Sequence, residues 1–379
     1  MKFRVERDVL ADAVSWAARS LPTRPPLPVL AGLLVTAEDS GLVLSSFDYE
    51  VSARVEVAAE VSDPGRALVS GRLLAEIVRS LPARPVEVVV DDAKVVLTCG
   101  SARFALLTLP VEDYPTLPEL PAAAGTLSGA QFATAVSSVA IAAGRDDTLP
   151  VLTGIRMEFE DDLLTLAATD RYRLAVREVP WTPQTPGTST IALVQARSLA
   201  ETARALTDAE AVTLALASGG SGEGIIGFEG VSGDSRRRST TRLLDGEFPK
   251  YRALLPSESA ALATLDTATF VDAVKRVSLV AERNTPVRLS FGADELVLEA
   301  GTGDEAQATE SVGCTFEGDA LTIAFNPQFL LDGLGAIDAA VARMSFTTST
   351  KPAVITAGGD ESPEAADYRY LLMPVRLSS

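Results

Sequence analysis

The sequence predicts an α+β protein built from three copies of one domain-sized unit, and three observations carry that reading. The first is length, because 379 residues exceed what one hydrophobic core organises and two or three domains are expected. The second is an internal repeat. Residues 9–56 align with residues 131–178 without a gap at an offset of 122, placing Leu27-Pro28-Val29-Leu30 on Leu149-Pro150-Val151-Leu152, Gly32 on Gly154 and Asp48 on Asp170. The third is a shared order of elements: a helix, alternating strands, a second short helix and more strands. That order suits antiparallel sheets with helices packed on them.

Each element has its own justification. Leu10, Ala13, Val14 and Ala17 stand at i, i+3, i+4 and i+7, the apolar stripe of a half-buried helix. Ala135-Val136 repeats the Ala13-Val14 pair, and Phe270–Ala281 gives a more divergent third copy with Ala273-Val274 in that place. Alternating segments such as residues 41–46 and 163–167 predict strands. The pairs Asp91-Asp92 and Asp161-Asp162 fall where hairpin turns belong. Second helices are expected over Leu73–Leu81, Arg197–Leu206 and Asn326–Ile337. Linkers rich in Pro, Ala or Ser at Leu117–Thr126 and Pro256–Ala263 put the expected domains at 1–121, 122–257 and 258–379.

Composition removes several function classes. Histidine is absent, which excludes Ser-His-Asp and Cys-His catalysis and His-based metal sites. Cys99 and Cys314 lie far apart in strand-like surroundings and are expected to be buried, reduced thiols. The N-terminal stretch carries charges at Arg4, Glu6, Arg7, Asp8 and Asp12, so no signal peptide is read there. No apolar run is long enough to span a bilayer, and a cytoplasmic protein without membrane association is expected.

Several motifs have a plain structural reading. Gly222, Gly224 and Gly227 match GxGxxG, but strand-like sequence on both sides points to a hairpin and not to a dinucleotide fold. The pairs Asp91-Asp92, Asp146-Asp147 and Asp161-Asp162 read as solvated charges. Asp48 and Asp170, each following a strand at one place in the repeat, read as side chains capping a turn. Catalytic residues, metal sites and cofactors are expected to be absent. The run Arg236–Arg238 sits in sequence read as a Gly/Ser-rich loop, with no role assigned.

Charge distribution is more informative than its sum. The net charge is −18, which argues against a broadly basic DNA-gripping surface. Yet basic residues gather on or beside the repeat helices: Arg7, Arg19 and Arg24; Arg72 and Arg79; Arg145; Arg197 and Arg204; Lys275, Arg276 and Arg283. Acidic residues concentrate in strand and loop segments such as 56–63 and 360–367. Such a protein repels DNA from most directions and accepts it at a helical face; a solvated helix face explains the pattern equally well. The apolar stretch from Tyr370 to Leu377 at the end of the chain reads as a core strand, a groove for a partner's side chains, or both.

The LPVL repeat, the stretch from Thr169 and Asp170 to Arg173 and Leu174, Glu247–Tyr251 and the terminal MPVRL together resemble the bacterial DNA polymerase III beta subunits, across essentially the whole chain. The resemblance implies a ring of two three-domain protomers joined head to tail, with helices lining the hole and sheets outside. It implies a protein that encircles duplex DNA without reading sequence. It further implies that the replicative polymerase, the clamp loader and repair proteins are tethered by short peptides. Arg24, Arg72, Arg79, Arg145, Arg197, Arg204, Lys275 and Arg276 are then the candidates for DNA contact, Arg24 foremost. The peptide cleft would use Leu152, Thr169, Arg173, Leu174, Pro249, Leu254, Leu371 and Met373, with Asn326, Phe329, Pro374 and Arg376 as its second part. Phe104 and Leu106 would meet Leu279 and Val280 of a second copy. Arg171, where many relatives have a small residue, and Pro150-Val151, where some have aromatics, depart from the pattern and bear on peptide preference. The alternative function is that of a paralogue acting in inhibitor resistance through the same cleft.

Overall fold

A computed structural model describes residues 1–91, 93–216, 224–256, 258–281, 285–301, 306–358 and 366–376. Six α-helices are described: α1 (Arg7–Ala17), α2 (Gly71–Ser80), α3 (Gly129–Ala140), α4 (Ala196–Ala205), α5 (Thr267–Val277) and α6 (Pro327–Gly335). They alternate as first and second helix of three repeats, at the positions the sequence assigns. Helix α1 buries Leu10, Ala13, Val14, Trp16 and Ala17, so the apolar stripe read from the spacing is its core face.

The chain packs as two compact units. One contains Met1–Ala133, Trp181–Thr188 and Arg197–Asp245; the other contains Thr134–Pro180, Ser189–Ala196 and Gly246–Ser379. The middle repeat is therefore divided between them. Backbone pairing gives the reason within each unit. In the first, strand Ser235–Arg242 of the middle repeat pairs antiparallel with strand Val51–Val57 of the first repeat, in the register Arg236↔Glu56 to Thr241↔Val51. In the second, strand Arg173–Pro180 pairs with Tyr368–Leu372 of the third repeat, Arg173↔Leu372 to Arg177↔Tyr368. Sheets thus run on from one repeat into the next, and both junctions are antiparallel as expected.

Each junction is reinforced by side chains. Ser52 and Thr240 share a hydroxyl hydrogen bond of 2.6 Å, and the Ser239 hydroxyl donates to the Ser52 carbonyl at 3.0 Å. Arg236–Arg238 are therefore not in a loop: they lie in a strand hydrogen-bonded on both sides. Arg238 pairs with Glu229 and stands 3.8 Å from Glu56. Arg237 pairs with Asp12, donates to the Ala205 carbonyl at 2.7 Å and lies 5.8 Å from the Trp16 ring centroid. Neighbouring glycine and serine obscured a strand whose partner is remote in sequence.

Two further corrections concern the expected linkers. Ala123–Leu127 and Ala261–Asp266 are strands, so each linker enters a sheet before it ends. The glycine pattern resolves as expected where it is described: Gly224 precedes strand Ile225–Ser232 and Gly227 lies inside it, with Leu120 against the position a Cβ would take. Gly222, Asp92, Arg283 and Leu377 lie outside the described residues. Cys99 is a buried free thiol, and Cys314 is a free thiol that is only half-buried.

Candidate functional site

The site is built on one turn. Strand Leu163–Thr169 passes into strand Arg173–Pro180 through Asp170, Arg171 and Tyr172. Asp170 Oδ1 accepts the N–H groups of Tyr172 and Arg173, each at 3.0 Å, so the side chain caps the turn as the sequence suggests. The Thr169 hydroxyl donates to the Arg173 carbonyl at 2.7 Å and accepts the Arg171 N–H at 3.2 Å. This holds Arg171 at φ 77°, left-handed backbone that non-glycine residues seldom adopt. The first repeat makes the same turn, with Asp48 accepting from Glu50 and Val51 and with Tyr49 at φ 75°. Arg171 and Tyr172 face solvent, while Arg173 is buried.

Arg173 organises what lies beneath. Its Nε donates to Asp170 Oδ2 at 2.9 Å and its Nη1 to Asp332 Oδ2 at 2.6 Å and Tyr370 Oη at 3.4 Å. The guanidinium lies 4.2 Å from the centroid of the Phe329 ring. Burial opposes its charge, but Tyr370, Asp332 and Asp170 together outweigh burial and hold its pKa above the ordinary arginine value. Tyr370 donates to the Phe329 carbonyl at 2.8 Å, and burial pushes its phenol up. Asn326 starts α6 by accepting the N–H groups of Gln328 at 3.0 Å and Phe329 at 3.2 Å.

Above this frame opens a cleft of about 690 Å³ lined by Ala143–Asp146, Leu149, Leu152, Asp170–Arg173, Gln328, Phe329 and Asp332. Of the expected peptide-binding residues, Leu152, Arg173 and Phe329 are on its wall. Thr169 and Asn326 brace that wall from behind. Leu174 and Leu371 are opposite each other in the ladder and almost fully buried, forming core below the site. Met373, 41% exposed, is tied to the turn by its N–H on the Tyr172 carbonyl at 2.9 Å. Pro374 is half-buried and Arg376 exposed beside Val375, whose N–H donates to the Ala324 carbonyl at 2.8 Å. Pro249 and Leu254 are not among the lining residues. Leu254 ends a 3-10 turn, preceded by Pro249, that is anchored on Glu158 by the Tyr251 hydroxyl at 3.0 Å and Arg252 at 2.5 Å. Burial, followed by the Glu158 charge, pushes the Tyr251 phenol up to about 12.

Sequence reasoning missed Tyr172, Asp332, Gln328 and Leu149 as lining residues. Asp332 lies 159 residues from its partner Arg173, a separation at which no local pattern signals contact. Arg145, expected at DNA, lines this cleft.

The other DNA candidates are exposed on or beside helices, but they differ in engagement. Arg276 holds Glu310 through two contacts, at 3.0 and 2.5 Å, Lys275 stands 3.6 Å from Asp272, and Arg197 stands 3.3 Å from Glu201. Arg72 donates to the Pro22 carbonyl at 3.0 Å. Arg24, Arg79 and Arg204 make no ion pair among the described residues.

For the expected contact between copies, strand Ala102–Leu109 pairs with Lys94–Cys99 from Ala102 to Leu107 and meets strand Gly65–Ser70 only at Thr108 and Leu109. The backbone edge from Ala102 to Leu107 is without a second strand among the described residues. Phe104 is half-buried and Leu106 is buried, whereas Leu107, not anticipated, is 70% exposed. Leu279 is 84% exposed and Val280 half-buried after α5.

Family models for the N-terminal, central and C-terminal domains of the DNA polymerase III beta subunit match residues 1–118, 126–250 and 252–376. The chain belongs to the DNA polymerase III beta subunit family. It is 62% identical over 379 residues to the beta sliding clamp of Streptomyces coelicolor, with 100% of both chains covered. It is 46% identical over 377 residues to the beta sliding clamp homolog GriR of Streptomyces muensis, covering 99% of each. Among solved structures, the sliding clamp of Pseudomonas aeruginosa bound to griselimycin matches with a TM-score of 0.88 at 28% identity, covering 100% of both chains. The protein is thus a sliding clamp of three related domains, a family of processivity factors in DNA replication. Among the described residues, no helix is long and apolar enough to cross a membrane.

Proposed function

We propose that two copies of this chain close head to tail around duplex DNA and tether the replicative polymerase, clamp loader and repair proteins through short peptides seated in the Arg173 cleft. The observation carrying this reading is the cleft itself. Its apolar wall of Leu149, Leu152 and Phe329 lies beside polar groups fixed by the Asp170 turn, a combination suited to gripping an extended peptide. The similar Pseudomonas aeruginosa clamp is bound to griselimycin, so a relative of this fold accepts a ligand.

Domains 1–121, 122–257 and 258–379 would each supply two helices to the DNA-facing side. Arg24, Arg79 and Arg204 would supply unpaired positive charge, with Arg72, Arg197, Lys275 and Arg276 contributing more weakly because their donors are shared. Weak, sequence-blind attraction suits an element that slides. Phe104, Leu107 and the free edge of their strand would meet Leu279 and Val280 of the second copy, Leu106 supporting from the core. The clamp would act in the cytoplasm, as a non-enzyme without a cofactor.

Retention on nicked circular against linear DNA, after loading with a clamp loader and ATP, tests the reading. Retention on circles with loss from linear ends is expected; equal retention on both would reduce the protein to a surface binder. The greater identity to the Streptomyces coelicolor beta sliding clamp than to the clamp homolog GriR favours the replicative reading over that of a paralogue. Failure to complement a clamp-depleted strain despite ring formation would reverse that preference.

A further inference from the structure

We infer that Arg171, with Arg145 beside it in the lining, makes a carboxylate-accepting subsite that biases the cleft toward acidic apolar peptides. The inference deepens the peptide-binding reading above and rests on it. Six charged side chains line the cleft: Arg145, Arg171 and Arg173 against Asp146, Asp170 and Asp332. Formal charge balances, but availability does not.

Each carboxylate is engaged, Asp170 and Asp332 through both oxygens and Asp146 through Oδ1. Asp170 takes two backbone N–H groups and the Arg173 Nε. Asp332 takes Arg173 on one oxygen and Gln328 Nε2 on the other at 2.7 Å. Asp146 accepts the Thr148 N–H at 3.0 Å and its hydroxyl at 2.6 Å, which keeps its carboxyl below the ordinary value, with Arg171 adding a smaller push in the same direction. Arg173 is consumed by those partners and buried. Arg145 and Arg171 are exposed and make no ion pair among the described residues.

With two unpaired guanidinium groups against one open oxygen on Asp146, the open hydrogen-bonding capacity of the charged lining is in excess on the donor side, next to apolar Leu149, Leu152, Tyr172 and Phe329. A ligand that fills the apolar wall gains by bringing a carboxylate and loses by bringing a cation. Arg171 is exposed on left-handed backbone, its own N–H held by Thr169 and the next one, that of Tyr172, by Asp170.

Two labelled apolar peptides differing only in one aspartate or asparagine provide the test, measured by fluorescence anisotropy against the full chain, Arg171→Ala and Arg171→Lys. The aspartate peptide is expected to bind the full chain about fivefold tighter. Arg171→Ala should erase most of that gap, Arg171→Lys should restore part of it, and added salt should narrow it. Equal binding of both peptides to all three proteins overturns the inference and leaves the cleft reading standing. If neither peptide binds a chain that is still retained on circular DNA, the cleft reading fails and the inference with it.

Discussion

The guanidinium of Arg173 lies 4.2 Å from the centre of the Phe329 ring, and this contact joins a strand of the middle repeat to the second helix of the third. It also couples the floor of the cleft to its wall, because the same guanidinium holds Asp170 and Asp332.

Replacing buried Arg173 by Ala leaves Asp170 and Asp332, both half-buried, without the cation they share. A loss of about 3–5 kcal/mol is expected, the usual cost of breaking a buried pair. Urea unfolding monitored at the second unit reads it, and peptide binding should fall in parallel. An unchanged midpoint would mean that the pair contributes nothing to stability.

The two equivalent turns separate capping from ion pairing. Asp48→Ala removes two backbone hydrogen bonds at an exposed turn and should cost about 1 kcal/mol. Asp170→Ala removes the same two and also one of the two carboxylates that hold Arg173, so its cost should exceed the first by about 1.5–3 kcal/mol. Equal losses in matched unfolding experiments would contradict the second role.

These two aspartates show how much of the molecule was legible beforehand. The turn itself was readable at both sites, because Asp after a strand signals its geometry and the repeat signals it twice. The helices were readable from the Ala-Val pairs and their spacing. What escaped was everything set by distant pairing: Asp332 on Arg173, Asp12 on Arg237, and the strand containing Arg236–Arg238. Burial of Leu174 escaped for the same reason, and the stretch from Tyr370 could be read only as core strand, groove or both, since the ladder that opposes Leu174 and Leu371 joins repeats as remote in sequence as Arg173 and Tyr370, which are 197 residues apart.

Alkali should weaken the fold within a defined window. Burial pushes the phenols of Tyr114 and Tyr251 up to about 12, and those of Tyr368 and Tyr370 higher still. Unfolded tyrosine ionises near pH ~10, so above that value the folded chain retains protons that the unfolded chain loses. Their contribution is complete below about pH 10 and drains away as pH rises through about 12. Urea midpoints at about pH 9 and about pH 11, followed with tyrosinate absorbance, should differ clearly; matching midpoints would dismiss this linkage.

Arg237→Ala should destabilise the first unit by about 2–3 kcal/mol, because it removes an ion pair to Asp12, a hydrogen bond to the end of α4 and packing on Trp16. Arg236→Ala, half exposed and 3.9 Å from Glu229, should cost under about 1 kcal/mol. Thermal midpoints of the two variants check the ranking.

On DNA, replacing Arg24, Arg79 and Arg204 together by Ala should shorten retention at low salt more than replacing Arg197, Lys275 and Arg276 together. The second group already shares its donors with carboxylates. The logarithmic salt slope should flatten by about 0.9 for each phosphate that is no longer neutralised. A larger effect from the second set would reverse the assignment of DNA-facing residues.

The backbone ladders that carry strand Ser235–Arg242 onto Val51–Val57 and Arg173–Pro180 onto Tyr368–Leu372 also bear on modularity. Three copies of one unit suggest interchangeable parts, yet excising the middle copy would leave two raw strand edges looking for a new chain to join. The copies are alike in plan, and the hydrogen bonds of these two ladders belong to neighbours jointly and to neither alone.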